Sequence, residues 1–125
     1  MSELRFTEDH EWVRAEPDGS VRLGVTDYAQ EQLGDVVYVE LPEAGKHVTA
    51  GDEVVMIESV KAAGEVKTPV TGEVITVNEE LSDSPELVNN DAFGDGWMIT
   101  IRPEDPRELD ELLDEDAYRE YIAGL

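Results

Sequence analysis

The chain of 125 residues contains no cysteine. That excludes a disulfide framework, a thiolate metal site and a thiol nucleophile, and it suits a cytoplasmic protein. Basic residues are scarce: nine lysines and arginines face 31 aspartates and glutamates, for a net charge of −22. Phosphate contacts require a basic footprint, so binding to nucleic acid or to an anionic membrane is excluded. No apolar run approaches membrane-spanning length, and Met1–Arg5 lacks the charged and apolar pattern of a signal peptide. Only two histidines are present, so a transition-metal site lacks ligands. Lysine is rarer still for so charged a chain, with Lys46, Lys61 and Lys67 alone.

The acidic excess would mark disorder if it stood alone, but here it is interleaved with regular apolar periodicity and a 40% hydrophobic fraction. The length fits one domain, residues 1–125, able to bury a modest core. Many carboxylates and few lysines suggest a high-salt cytoplasm, because at molar salt the Debye length falls to roughly 3 Å and surface repulsion fades. The composition therefore leads us to expect an extreme halophile as the source.

Along the chain, Glu11–Ala15 and Val21–Val25 flank Pro17-Asp18-Gly19, and proline and glycine there preset a hairpin turn. Thr26 or Asp27 can cap a short helix ending at Leu33, with Gly34 as its stop. Val36–Leu41 is rich in β-branched and aromatic residues and reads as a strand. Glu73–Val77 and Trp97–Ile101 read as further strands. Ser84-Pro85 has the N-cap and N1 residues of a short helix. In the tail, Leu109, Leu112, Leu113, Tyr118, Tyr121 and Ile122 recur at helical spacing. Residues 104–125 are therefore expected to form two short helices meeting near Asp114 and packed on the rest. The fold expected is mainly β, two antiparallel sheets in a flattened barrel or sandwich, with short peripheral helices. Trp12, Trp97, Tyr28 and Tyr38 read as core or rim packing.

Several motif fragments fail on inspection. His10-Glu11 opens like a zinc-protease helix, but position 14 is arginine. Asn89–Gly94 imitates the start of a calcium loop, yet Phe93 and Thr100 stand where oxygen ligands are required. Gly94-Asp95-Gly96 has no strand–turn–helix setting for phosphate, and the scattered serines lie at turns and caps. No metal is expected.

What remains is the segment Glu58-Ser59-Val60-Lys61-Ala62-Ala63, between the alternating runs Glu53–Ile57 and Gly64–Thr68. Two period-two runs around a short break read as a β-hairpin, with Lys61 held at its apex. Val60, Ala62 and Ala63 are poor turn formers, so turn chemistry alone does not account for this tip.

The surroundings of Lys61 resemble the lipoyl-attachment site of the glycine cleavage H-protein family. A glutamate stands three positions before the lysine (Glu58), one glycine eleven after it (Gly72) and another sixteen before it (Gly45). The likeness extends to His10-Glu11-Trp12-Val13, Gly24–Gln30, Gly34–Pro42, Asp83–Asn89 and Gly96-Trp97-Met98, in the family's order along nearly the whole chain. The N-terminal hairpin, the helix before Gly34 and the C-terminal helices exceed what an acyltransferase lipoyl domain needs.

The resemblance implies a lipoyl/biotinyl-type fold and lipoate joined as an amide to Lys61. Glu58, Gly45 and Gly72 would serve site recognition and turn geometry. It implies a monomeric carrier, not an enzyme, that moves the aminomethyl group of glycine from a pyridoxal-phosphate glycine decarboxylase to a tetrahydrofolate-dependent aminomethyltransferase. Dihydrolipoyl dehydrogenase then reoxidises the arm, and a lipoate-attaching enzyme is the fourth partner. In the family the loaded arm folds into a cleft near the glutamate of His-Glu-Trp. This maps to Glu11, with Gln32 and Glu65 beside it. Many relatives have Ser-Asp where this chain has Gly64-Glu65. A second reading of the same site is an H-like module presenting lipoate to a relay or another pathway.

Overall fold

The computed structural model describes residues 4–125; Met1, Ser2 and Glu3, part of the segment read for a leader, lie outside it. Strands β1 (Leu4–Phe6), β2 (Glu11–Ala15) and β3 (Val21–Val25) precede helix α1 (Asp27–Leu33) and strand β4 (Val36–Glu40). There follow β5 (His47–Val48), β6 (Glu53–Ser59), β7 (Ala63–Lys67) and β8 (Gly72–Val77), then helices α2 (Glu80–Asp83) and α3 (Leu87–Asn90). Strand β9 (Ile99–Pro103), a 3-10 helix (Pro106–Glu111) and α4 (Glu115–Ala123) complete the order. Two antiparallel sheets result, one ordered β1-β2-β3-β9-β8-β5 and one ordered β4-β6-β7. The mainly β architecture with peripheral helices is the one expected.

Local chemistry explains the elements that position the site. In the β2–β3 turn Gly19 takes φ 91°, and the Asp18 carboxylate accepts both Ser20 N–H and Ser20 Oγ–H, at 2.9 and 2.6 Å. Thr26, not Asp27, caps α1: its Oγ1 accepts Ala29 N–H at 3.2 Å. Gly34 ends the helix at φ 79°, a conformation open to glycine, with its N–H on Gln30 O at 3.0 Å. Asn89 of α3 then braces the helix–strand corner. Its amide donates to Gly34 O at 2.8 Å and Gln30 Oε1 at 3.0 Å, while its Oδ1 accepts Val36 N–H at 2.8 Å.

The main core lies between the sheets, where Val13, Leu23, Val25, Val39, Val55, Ile57, Val66, Val74, Ile99 and Ile101 are all buried. A second cluster joins the two ends of the chain: Phe6 stacks on Tyr118 with centroids 4.5 Å apart, beside fully buried Trp12. Phe6 and Leu113 exchange backbone hydrogen bonds of 2.8 and 2.9 Å. Gly24 lies under the Trp12 indole, where any Cβ would come within 2.7 Å of the ring.

Some local expectations change. Strands β1 and β5 had no periodic signal, being three and two residues long. Ser84 does not cap the following helix. It terminates α2, and α3 begins after Glu86 without a side-chain cap. The last strand starts at Ile99, although Met98 N–H already bonds Leu23 O at 2.9 Å. Of the aromatics assigned to packing, Trp12 is in the core, but Tyr38 is 49% exposed.

Candidate functional site

Strands β6 and β7 pair from Glu53↔Lys67 up to Glu58↔Ala63, leaving Val60, Lys61 and Ala62 as the hairpin's apex. The poor turn-forming residues at this apex are compensated by Ser59. Its Oγ accepts the Ala62 N–H at 3.0 Å and donates to Ala62 O at 3.0 Å, while Ser59 N–H bonds Ala62 O at 2.7 Å. A serine hydroxyl thus supplies the local closure that glycine or asparagine usually gives. From outside the hairpin, Asp35 O accepts Val60 N–H at 3.0 Å and ties the tip to the start of β4. Lys61 itself is exposed. Its stem crosses the end of α1: a Cβ placed on Gly34 would lie 3.1 Å from Lys61 Cε. Glu58 is exposed on β6, opposite Tyr38 on one side and Ala63 on the other.

Beside the hairpin opens a cavity of about 210 Å³ lined by α1, β2 and β7. Val25, Ala29, Leu33, Ile57 and Val66 give it apolar walls, and Glu11, Gln32 and Glu65 all line it together with Asp9 and His10. The three cleft residues carried over from the resemblance therefore meet in one place.

Glu11 is buried to 3% exposure. Tertiary partners explain this: Oε1 accepts the Thr7 hydroxyl at 3.0 Å, and Oε2 accepts the Lys67 backbone N–H at 2.6 Å. Burial dominates nonetheless and pushes its pKa up to about 7, with the two hydrogen bonds pulling the other way. Glu65 is exposed, and a hydrogen bond with the Glu53 carboxyl, reinforced by repulsion between the two charges, raises its pKa. Burial lowers the pKa of His10, whose backbone sits at φ 70°. The His10 Nδ1 lies 2.8 Å from the Tyr118 hydroxyl, which lies 2.8 Å from Thr26 Oγ1, so α4 is linked to the cap of α1 and to the cleft.

The two framework glycines act away from the tip. Gly45 has φ 94° and donates its N–H to Val74 O at 2.7 Å in the turn before β5. Gly72 is no positive-φ turn residue: it opens β8 so close to β9 that a Cβ would fall 2.1 Å from Arg102 O. Both belong to the large sheet's framework, whereas Lys61 rides on the small one.

Asp9, His10, Leu33, Gly34 and Tyr118 were not singled out for the site from the sequence. Alternation in β3, β6 and β7 points Val25, Ile57 and Val66 inward, but nothing local reveals which inward residues border a gap. Only the fold brings Gly34 beneath Lys61.

A β scaffold that presents one exposed lysine at a hairpin apex, next to an apolar cleft edged with carboxylates, has the layout of a carrier module. Comparison with known proteins agrees. Residues 4–124 match the family model described as "Glycine cleavage H-protein". The chain is 58% identical to the glycine cleavage system H protein of Parvibaculum lavamentivorans, across 100% of this chain and 99% of that one. It is 54% identical, with the same coverage, to that of Rhodospirillum rubrum. The crystal structure of the H protein from Mycobacterium marinum superposes with a TM-score of 0.87 at 37% identity, covering 98% of both chains. The chain belongs to the glycine cleavage H-protein family, and the role of lipoyl carrier in the glycine cleavage system is its role. The expectation of a halophilic source gains no support from these relatives.

Proposed function

We propose that Lys61 is the N6-lipoyl attachment site and that the cleft of Glu11, Gln32 and Glu65 receives the loaded end of the arm. The observation that carries this reading is the juxtaposition of an exposed apex lysine and a cleft holding a buried, raised-pKa carboxylate. The residues present suit the group. Apolar walls match a hydrocarbon arm, and the Glu11 carboxylate carries a burial cost that a bound cation would offset.

When attached, lipoate supplies a redox-active dithiolane at the end of an arm roughly 14 Å long by summed bond lengths. The protein's part is to present, orient and shelter. Ser59 and Asp35 hold the apex rigid, so that the amine meets an incoming acyl donor without a search over loop conformations. Glu58 marks the site for the attaching enzyme. In the cleft, Glu11 offers an ionised oxygen to the ammonium of the carried aminomethyl group as a charge-assisted hydrogen bond. Its orientation is fixed by Thr7 and Lys67. Gln32 adds a neutral polar contact and Glu65 a second carboxylate, while Val25, Leu33 and Ile57 limit access of water.

On this reading residues 1–125 form one carrier domain with residues 104–125 as its helical extension, a monomer that is a substrate of other enzymes and not itself an enzyme. Its partners are the pyridoxal-phosphate glycine decarboxylase, the tetrahydrofolate-dependent aminomethyltransferase, dihydrolipoyl dehydrogenase and the lipoate-attaching enzyme. The compartment proposed is the cytoplasm. Absence of cysteine agrees with it, and among the described residues no helix is long and apolar enough to cross a membrane. Intact-mass analysis of the protein and of Lys61→Arg tests the attachment: a lipoyl adduct is expected on the first and not on the second. Glycine–bicarbonate exchange with the decarboxylase, supported by the lipoylated chain, then tests the pathway; a lipoylated chain inactive in exchange would favour a relay role instead.

A further inference from the structure

The outward face of the β4–β6–β7 sheet is unlike the rest of this acidic surface. Val37, Tyr38, Met56 and Val60 are 52%, 49%, 44% and 68% exposed, and apart from Leu125 at the C-terminus they are the large apolar side chains left open among the described residues. A β-bulge produces half of this patch. Val36 pairs with Ser59 and Tyr38 with Glu58, so Val37 is an extra residue in β4, and both Val37 and Tyr38 are left exposed. Met56 lies one outward position below Glu58 on β6, flanked by Glu40 on β4 and Glu65 on β7. Val60 continues the patch onto the apex beside Lys61. The result is a mixed surface of apolar residues and carboxylates within three cross-strand rows of the apex.

We propose that this face is the docking surface for the enzyme that acylates Lys61, and that this enzyme meets it with an apolar seat ringed by arginine and lysine. The proposal rests on Lys61 being the attachment site. In that reaction the deprotonated Lys61 nitrogen attacks the acyl carbon of an acyl adenylate. The amide C–N bond forms, the acyl–phosphate C–O bond breaks, AMP leaves with the electron pair, and the nitrogen gives its remaining extra proton to a base of the enzyme.

Reach selects the occupant. An enzyme acting at the lysine nitrogen must bring its active-site rim onto residues next to the apex. Enzymes acting at the far end of the finished arm work roughly 14 Å away and have no need of that contact. Charge selects the seat: Glu40, Glu58 and Glu65 surround the apolar residues in a chain of net charge −22, which attracts a basic partner and repels an acidic one. Exposed apolar residues packed into a seat, with charges at the rim, are the usual division of labour in such an interface.

The test is steady-state acylation of the full-length unmodified chain by a purified lipoate–protein ligase with lipoate, ATP and magnesium, followed by intact mass. The double variant Val37→Ser/Tyr38→Ser is expected to raise KM roughly ten-fold or more with kcat held. Glu40→Lys is expected to raise KM without touching the apolar residues, and the KM of the parent chain should rise with KCl as the rim charges are screened. All side chains changed are exposed, so an unaltered thermal midpoint will show that the fold is intact. Acylation of the double variant at the parent's kcat/KM overturns the proposal. So does a fall in kcat alone, which would mean that these residues shape the apex and do not dock. Unchanged acylation with slowed glycine–bicarbonate exchange also overturns it, because the face would then belong to the decarboxylase. Failure of the attachment reading is distinct: the parent chain would gain no lipoyl mass, or Lys61→Arg would gain it.

Discussion

The carboxylate of Glu11, on the second strand of the large sheet, accepts the backbone N–H of Lys67, on the edge strand of the small sheet, at 2.6 Å. One side chain thereby stitches the two sheets together at the mouth of the cleft, and it does so while buried and with its pKa at about 7.

The pH response follows from that value. Glu11 has a folded pKa near 7 against an ordinary 4.5, so between these values the native state binds more protons than the unfolded one. Stability therefore falls as pH rises from about 4.5 to about 7, and above 7 the charged carboxylate costs roughly 3 kcal/mol. Glu11→Gln keeps an acceptor for Lys67 N–H and removes the charge. Denaturant titration at pH 8 should find it more stable than the parent, and the difference should vanish near pH 4. An unchanged midpoint at pH 8 would show that the burial cost is absent.

Retention of the carried group should run the other way. In the proposed role the ammonium pairs with an ionised Glu11, so hydrolysis of the loaded aminomethyl group should slow as pH rises through 7 and approach the rate of Glu11→Gln below it. A parallel pH profile for parent and variant would remove Glu11 from this task.

The hydroxyl of Tyr118 serves both His10 and Thr26. Tyr118→Phe leaves the ring stacked on Phe6 but strips a partner from the buried Thr26 hydroxyl, at a cost of about 1–2 kcal/mol. Urea titration should record that loss, and hydrogen exchange should quicken at the first turn of α1.

The two glycines that share a place in the attachment pattern should separate cleanly. Gly72→Ala forces a Cβ against Arg102 O and should cost about 3 kcal/mol or more. Gly45→Ala meets open space and carries only the left-handed backbone penalty of about 1–2 kcal/mol. Both should still accept lipoate wherever they remain folded, because neither residue lies on the hairpin bearing Lys61. A folded Gly45→Ala that is not acylated would give that glycine a recognition role of its own.

With 31 acidic residues against nine basic ones, repulsion among exposed carboxylates opposes compaction at low ionic strength. Raising KCl from millimolar to molar should lift the thermal midpoint; a flat response would mean that the acids are spaced widely enough not to interact.

What could be read from the chain was what local chemistry decides. The Pro17-Asp18-Gly19 turn, the start and glycine stop of α1, and the Lys61 hairpin are each specified within a few residues, whereas the choice of Thr26 over Asp27 as the cap comes from the structure. What could not be read depends on distant partners. The burial of Glu11 needs Thr7 and Lys67; a charged residue beside a tryptophan gives no hint of it. Val36-Val37-Tyr38-Val39 reads as an ordinary strand, and only the register with Ser59 and Glu58 exposes the bulge that leaves Val37 and Tyr38 open. The three residues of β1 are too few for periodicity, and they pair because Trp12 and α4 are there to receive them.

The bridge between Phe6 and Leu113, with Tyr118 stacked against the same phenyl ring, also sets a timetable for biosynthesis. A chain emerging from the ribosome completes its lysine hairpin by about residue 68, yet the wall formed by the first and last segments must wait until α4 has left the exit tunnel. The nascent protein thus displays its hairpin lysine before the closure that joins its first strand to its last helix can form.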